Sequence, residues 1–329
     1  MARTARALDA RYTLLAAQNL QQHLEAMQAQ LRGVRLAQDP ECIHKMRVAG
    51  RRLRAALMIF EDALGKPARN VRKAVRDITR ALGEARDRDV QLELVEEVAT
   101  SWRGGREQPG LARLLLRLRQ ARRRAQAGVA RALDDLEGSK PWADLARGLR
   151  RTWVRAETPD ATGPGPGPTV CRHALQIVVP LAEDLLARDP LVRDPDAVEA
   201  LHAMRIAAKR LRYALEAFQP AFAGDLDDPV AAAKKLQEVL GELHDCDVWL
   251  AFLPAFRDDE RARHLEFHGH ARGFARLLPG LERLLEDRRE TRAALWTRFL
   301  DVWDAHLARG VWTGLATLLA ERAAGTGDA

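Results

Sequence analysis

Hydrophobic residues recur every three to four positions along most of the chain, which is the period of an amphipathic α-helix. Alternating runs of Val, Ile or Thr between turn residues, which would indicate strands, do not occur in the sequence. The pattern therefore predicts an all-α fold, with helices that end where Pro and Gly interrupt the period. The predicted helices span about residues 5–36, 40–63, 67–101, 109–137, 140–155, 170–188, 196–219, 228–255, 258–279 and 281–323.

The pattern repeats at a fixed distance along the chain. Residues 44–60 read HKMRVAGRRLRAALMIF and residues 202–218 read HAMRIAAKRLRYALEAF, with 10 of 17 positions identical. At the same offset of 158 residues, LGEARDRDV at 82–90 matches LGELHDCDV at 240–248. Since one offset serves both blocks, the chain is predicted to be a tandem duplication.

A Pro/Gly-rich stretch separates the two copies. Residues 158–168 contain four Pro and three Gly, a composition that cannot continue a helix. We therefore predict a first helical-bundle repeat at 1–157, a linker at 158–168 and a second repeat at 169–329. Short connections between long amphipathic helices favour two tandem four-helix bundles, related by an internal pseudo-twofold axis.

The first repeated block forms a helix with two distinct faces. Its apolar residues share one arc of a helical wheel, and a basic stripe lies almost opposite. The stripe holds no acidic residue in either copy, although like charges at this spacing repel each other. A bound anion is the favoured explanation, over a merely solvated face. The stripe residues are His44, Arg47, Arg51 and Arg54 in the first copy, and His202, Arg205, Lys209 and Arg212 in the second.

Further basic residues extend this pattern onto the neighbouring helices. Arginine matches phosphate oxygens in a bidentate fashion and stays charged at any physiological pH, so rows of arginine at one-turn spacing suit a phosphate chain. The residues added to the predicted anion-binding surface are Arg52, Arg69, Arg72, Lys73, Arg76, Arg113, Arg117 and Arg124 in the first half, and Arg210, Lys234 and Lys235 in the second.

Charge is unevenly divided between the halves. The net charge is +7, but residues 1–157 carry +13 and residues 158–329 carry −6. This asymmetry predicts that the first stripe does most of the binding. No apolar run reaches the ~20 residues that span a bilayer, and the three scattered cysteines suit a reducing compartment. A cytoplasmic location without membrane contact is the expectation.

The paired His-x-x-Arg-x-x-x-[Arg/Lys]-Arg-Leu-Arg and Leu-Gly-Glu-x-x-Asp-x-Asp-Val blocks resemble the CHAD family, the conserved histidine α-helical domain. The resemblance implies two pseudo-symmetric helical bundles that bind inorganic polyphosphate along a basic surface and central pore, and association with polyphosphate granules. It places the family's histidine on His44 and His202. The Glu-x-Glu-x-Lys strand of the CYTH domain, which many relatives carry, does not occur here, so hydrolase activity is not implied.

Other functions remain as alternatives. Sequence-independent nucleic-acid binding would use the same arginines, but Tyr213 is the only aromatic residue next to a stripe and the tryptophans are predicted to lie in the core. An adaptor for acidic proteins is a further alternative. No catalytic residue, cofactor or metal site is predicted. The acidic trio Glu84, Asp87 and Asp89, like its second copy, is expected to pair with arginines rather than hold a cation.

Overall fold

Every regular element in the described part of the chain is helical, which confirms the all-α prediction. The computed structural model describes residues 9–64, 66–156 and 166–325. In the first half, Asp39 caps α3 by accepting a 2.8 Å hydrogen bond from the Glu41 amide, and Pro40 starts the helix. The helices of this half are α1 (Ala10–Gln28), α2 (Leu31–Leu36), α3 (Pro40–Ile59), α4 (Glu61–Leu64), α5 (Lys66–Ser101), α6 (Gln108–Glu137) and α7 (Lys140–Ala156).

The second half follows the same plan. Its first two main helices begin 158 residues after α1 and α3, at Pro168 and Val198, which is the offset of the sequence repeat. Its helices are α8 (Pro168–Leu186), α9 (Val198–Phe218), α10 (Asp227–His268), α11 (Leu278–Ala308) and α12 (Gly314–Gly325), with short 3₁₀ turns at Asp189–Leu191, Gln219–Ala221 and Phe274–Leu277. None of the described helices is long and apolar enough to cross a membrane.

Several predicted boundaries differ from the structure, and the largest differences lie in the second half. The predicted helix 258–279 is wrong, because α10 continues through Pro254 to His268 and ends at Gly269, whose φ of 70° is left-handed. Buried Leu253 and Phe256 keep the apolar face continuous on both sides of the proline. The predicted helix 281–323 is divided into α11 and α12. Residues 158–165 of the predicted linker lie outside the described residues, so the domain boundary stays a prediction.

One hydrophobic core runs through both halves. In the first half α1, α3, α5 and α7 contact each other in a ring, and in the second α12, α8, α9 and α10 pack in a row. The halves meet where α3 packs on α9, and there the rings of Phe60 and Phe218 are 5.7 Å apart. Asn19 also donates a buried 3.1 Å hydrogen bond to the carbonyl of Ala217 across this contact.

A second, smaller core joins the halves at the far ends of their long helices. The pair α5–α6 and the pair α10–α11 meet there around buried side chains such as Leu111 and Leu281. The starts of α6 and α11 approach so closely that a Cβ on Gly110 would lie 2.2 Å from the carbonyl oxygen of Leu277. A Cβ on Gly280 would meet the carbonyl oxygen of Glu107 at the same distance. The halves are therefore joined at two places, with a gap between them.

Candidate functional site

Residues of both basic stripes line one pocket in this gap: His44, Arg47 and Arg51 of the first stripe and Arg205 of the second. It has a volume of about 460 Å³ and lies between α3, α5, α9 and α10. We call it the central basic pocket. Both repeated sequence blocks of both halves contribute residues to this one site. Its polar lining consists of His44, Arg47, Arg51, Arg86, Asp87, Arg88, Gln91, Arg205, His244 and Asp245.

The cations at this pocket repel one another. Burial, and then the charge of Arg51, lowers the pKa of Arg47 and also that of Arg205. Burial and then the charges of Arg51 and Arg205 lower the pKa of Lys209 to about 8. Since Arg51 comes from the first half, while Arg205 and Lys209 come from the second, the repulsion acts across the contact between the halves. Such an arrangement is destabilising without an anion and suits an anionic ligand.

Acidic residues neutralise only part of this charge. Asp87 lies 3.6 Å from Arg47 and is itself mostly exposed. Burial raises the pKa of Asp245, against the opposing effect of Arg205. Within the described residues, the buried Nε of Arg205 has no hydrogen-bond partner. The pocket thus keeps a positive excess and an unused donor group.

Histidine provides a titratable group at the same place. The Nδ1 atoms of His202 and His244 lie 3.3 Å apart, so one ring donates to the other. Burial, followed by the charges of Arg205 and His202, lowers the pKa of His244 to about 4. The ring is therefore neutral at pH 7, and an anion beside it would favour protonation.

Sequence reasoning did not select Arg86, Arg88 or His244. All three belong to the second repeated block, in which the three acidic residues are identical in both copies and the basic residues are not. The sequence does contain a signal for these residues: a block that repeats at the same offset as the stripe is expected to lie beside the stripe in the fold.

Several predicted binding residues are engaged elsewhere. Arg52 and Arg212 both pair with Glu216, at 3.1 and 2.8 Å. Arg69 and Arg72 both pair with Glu61 near the start of α5. Arg52, Arg69 and Arg72 thereby join neighbouring helices, whereas Arg212 pairs within α9, and none of the four lines the central basic pocket.

Arg113 and Arg117 lie in the first three turns of α6, near the second core, where they pair with the fully buried carboxylate of Glu260 at 2.9 and 2.6 Å. The remaining predicted residues are largely exposed on the surface. Burial, then the charges of Arg76 and Arg51, lowers the pKa of Arg54. Arg54 therefore connects the pocket to the basic face of α5. The other exposed members are Lys73, Arg76, Arg124, Arg210, Lys234 and Lys235.

The acidic residues of the second block pair mainly with arginines, as the sequence predicts. Asp89 contacts Arg122 and the equivalent Asp247 contacts Arg292, each at 2.5 Å. These pairs are buried or nearly so, and they fix α5 to α6 and α10 to α11. In the described parts of the chain, no group of three or more His, Cys, Asp or Glu is arranged to hold a metal ion.

One wall of the central basic pocket is apolar. It is formed by Val90, Val248, Trp249 and Phe252, and the guanidinium of Arg88 lies 5.9 Å from the centre of the Phe252 ring. We call these four residues the aromatic wall. Phe252 therefore joins Tyr213 as an aromatic residue near the basic residues, whereas Trp249 is buried in the second core, as predicted for the tryptophans. Trp249 and Phe252 are distant from the stripes in sequence, and the packing of α10 against α9 brings them together.

Comparisons with known proteins agree with this architecture. The sequence pattern of the CHAD domain family matches residues 18–254. The crystal structure of the CHAD domain from the plant Ricinus communis has 28% sequence identity and a TM-score of 0.57, covering 90% of this chain and 96% of that one. PptA from Streptomyces chartreusis shares the fold, with a TM-score of 0.59, 19% identity and coverage of 89% and 99%.

Two curated relatives are uncharacterized proteins from two strains of Mycobacterium tuberculosis. Each is 29% identical over 213 residues, which is 62% of this chain. The chain matches only 38% of the length of these relatives.

Proposed function

Because the chain belongs to the CHAD domain family, we propose that it binds inorganic polyphosphate in the central basic pocket without hydrolysing it. The observation that carries this proposal is the convergence of Arg47, Arg51 and Arg205 from the two halves on one pocket, where like charges, including that of nearby Lys209, repel one another. A phosphate chain supplies repeating negative charge and needs no base-specific contact, so it relieves this repulsion along its length.

The exposed basic residues extend the proposed path. Arg54 and Arg76 continue from the pocket onto α5, where Lys73 and Arg80 are also exposed. A chain longer than the pocket would follow these side chains. We propose the cytoplasm, at polyphosphate granules, as the place of action, in keeping with the family resemblance.

The absence of hydrolysis is part of the proposal. Of the two carboxylates that line the pocket, Asp87 contacts Arg47 and Asp245 lies in the field of Arg205. Neither carboxylate has a Ser, Thr or Cys nucleophile beside it in the described lining of the pocket, which contains none of these residues.

Sequence-independent nucleic-acid binding is a second candidate, and the aromatic wall is the observation that favours it. A competition titration separates the two. The protein is titrated with long-chain polyphosphate, single- and double-stranded DNA and heparin at equal anion concentration, over a salt series, while released phosphate is measured. Polyphosphate is expected to bind tightest at physiological salt, with no release. Tighter binding of DNA, or release of phosphate, would contradict the proposal.

Variants locate the site. Arg51→Gln and Arg205→Gln are each expected to weaken polyphosphate binding and to lower the salt slope by something under ~1. The control is Arg147→Gln, an exposed arginine on α7 that does not line the pocket. Although the first half carries the positive excess, the two variants should lose similar affinity, since both arginines line one pocket. A loss confined to Arg51→Gln would show that the charge asymmetry between the halves decides binding.

A further inference from the structure

The central basic pocket has a charged side and an apolar side, and a bare phosphate chain needs only the charged one. One side carries the arginines of α3, α5 and α9, and the other is the aromatic wall. A polyphosphate in contact with the basic side would leave the aromatic wall against water or against charged oxygens. Neither neighbour suits an apolar surface, because apolar area is stabilised by removal from water.

The outer part of the aromatic wall is open to a ligand, and Trp249, which is 4% exposed, supports it from the second core. The side chain of Val248 is 41% exposed although it is a large apolar residue, and Phe252 is half-buried. The Arg88 guanidinium beside the Phe252 ring is fixed by a hydrogen bond to the amide oxygen of Gln91. Planar rings stack on aromatic faces and on guanidinium planes. The wall therefore offers surfaces for one planar ring next to the basic side.

The size of the pocket limits the ligand. Its volume of about 460 Å³ lies in the range of sites for single small molecules. The four apolar side chains of the wall have little with which to form hydrogen bonds to the edge of a particular base. The amide oxygen of neighbouring Gln91 already accepts a hydrogen bond from Arg88. The pocket is suited to a ring of any base that carries a phosphate chain.

We propose that the central basic pocket also binds nucleoside polyphosphates, with the phosphates on the arginines and the base on the aromatic wall. This inference rests on the proposed function, since the phosphates use the same arginines. It adds the aromatic wall as a second recognition element and names a class of ligand distinct from the bare chain.

The test compares ATP with tripolyphosphate and adenosine by calorimetry, with the full chain and without divalent cations. Tripolyphosphate has the higher charge, so recognition by charge alone makes it the tighter ligand. We expect ATP to bind about fivefold more tightly than tripolyphosphate, because of stacking, and adenosine to bind weakly. Equal or tighter binding of tripolyphosphate would overturn the inference and leave the proposed function intact. If neither phosphate compound nor long-chain polyphosphate binds, the proposed function fails as well.

A pair of exposed valines provides a matched control. Val248→Ser should weaken ATP roughly threefold through lost apolar contact, with no change for tripolyphosphate. Val198→Ser, at a valine that is 36% exposed and does not line the pocket, should change neither. An equal loss of both ligands in Val248→Ser would count against a base on the wall. Single-stranded DNA that binds far more tightly per site than ATP would assign the wall to a nucleic-acid interface and overturn the inference.

Discussion

Replacing Lys209 by methionine is expected to stabilise the protein while weakening its binding of polyphosphate. Burial, followed by the charges of Arg51 and Arg205, lowers the pKa of this lysine from 10.5 to about 8. At about 1.4 kcal/mol for each tenfold change in acidity, the lowering corresponds to about 3 kcal/mol of strain in the charged form. Lys209 keeps part of its exposure, so solvent screening reduces this value to about 1–2 kcal/mol.

The pH dependence of the free energy of unfolding shows whether the charge of Lys209 causes the effect. The native pKa of Lys209 lies below its unfolded value, so the unfolded state holds the proton more strongly. The cost of charging Lys209 is then fully present below about pH 8 and is lost as the pH rises toward 10.5. The advantage of Lys209→Met should be largest at pH 7 and should shrink by pH 10.

Urea unfolding at pH 7 and at pH 10, in the absence of polyanions, measures the effect. Thermal unfolding should show the same sign, with a rise of roughly 1–3 °C at pH 7. Lys234→Met is the control, because Lys234 is exposed on α10. The reasoning is refuted if Lys209→Met destabilises the protein at pH 7, or if its advantage is equal at both pH values.

Three further predictions concern other parts of the molecule. The protein should take up protons when it binds polyphosphate near pH 6, because the anion raises the pKa of His244 from about 4. Calorimetry in two buffers of different ionisation enthalpy measures this proton uptake, and the uptake should be smaller in His244→Gln. Gly110→Ala should lower the free energy of unfolding by about 2 kcal/mol or more, since its Cβ would lie 2.2 Å from the Leu277 carbonyl oxygen. Gly128→Ala on the same helix, with nothing within 4 Å, should instead stabilise by roughly 0.5–1 kcal/mol, and equal effects would refute the steric argument. Glu260→Gln should destabilise by about 3 kcal/mol, as judged by urea unfolding, because three arginines lose a fully buried partner, whereas polyphosphate affinity should stay unchanged.

The helical class and the alignment of the first helices follow from local patterns in the sequence. Apolar spacing and caps such as Asp39 act over a few residues, so they can be recognised without knowing the fold. The continuation of α10 through Pro254 could not be recognised in this way. There the buried neighbours Leu253 and Phe256 outweigh the loss of one backbone hydrogen bond.

The candidate site was predictable only in part. The stripe residues Arg47, Arg51 and Arg205 were identified by periodicity, and the structure places them together. Periodicity does not reveal which arginine has an acidic partner from another helix, and so Arg113 and Arg117 were predicted as ligand contacts although Glu260 holds them. Partner choice depends on tertiary contacts between residues about 145 positions apart, which no local pattern encodes.

The meeting of α3 with α9 also has a consequence for how the chain folds. Arg51 and Lys209 are separated by 158 positions, so the pocket closes only after a large loop-entropy cost has been met. During synthesis the first half is complete before the second emerges. Its arginines are then surrounded by water, where their repulsion is weak. The electrostatic strain therefore arises in the last folding step, when the halves dock, and a polyanion present at that moment should accelerate docking.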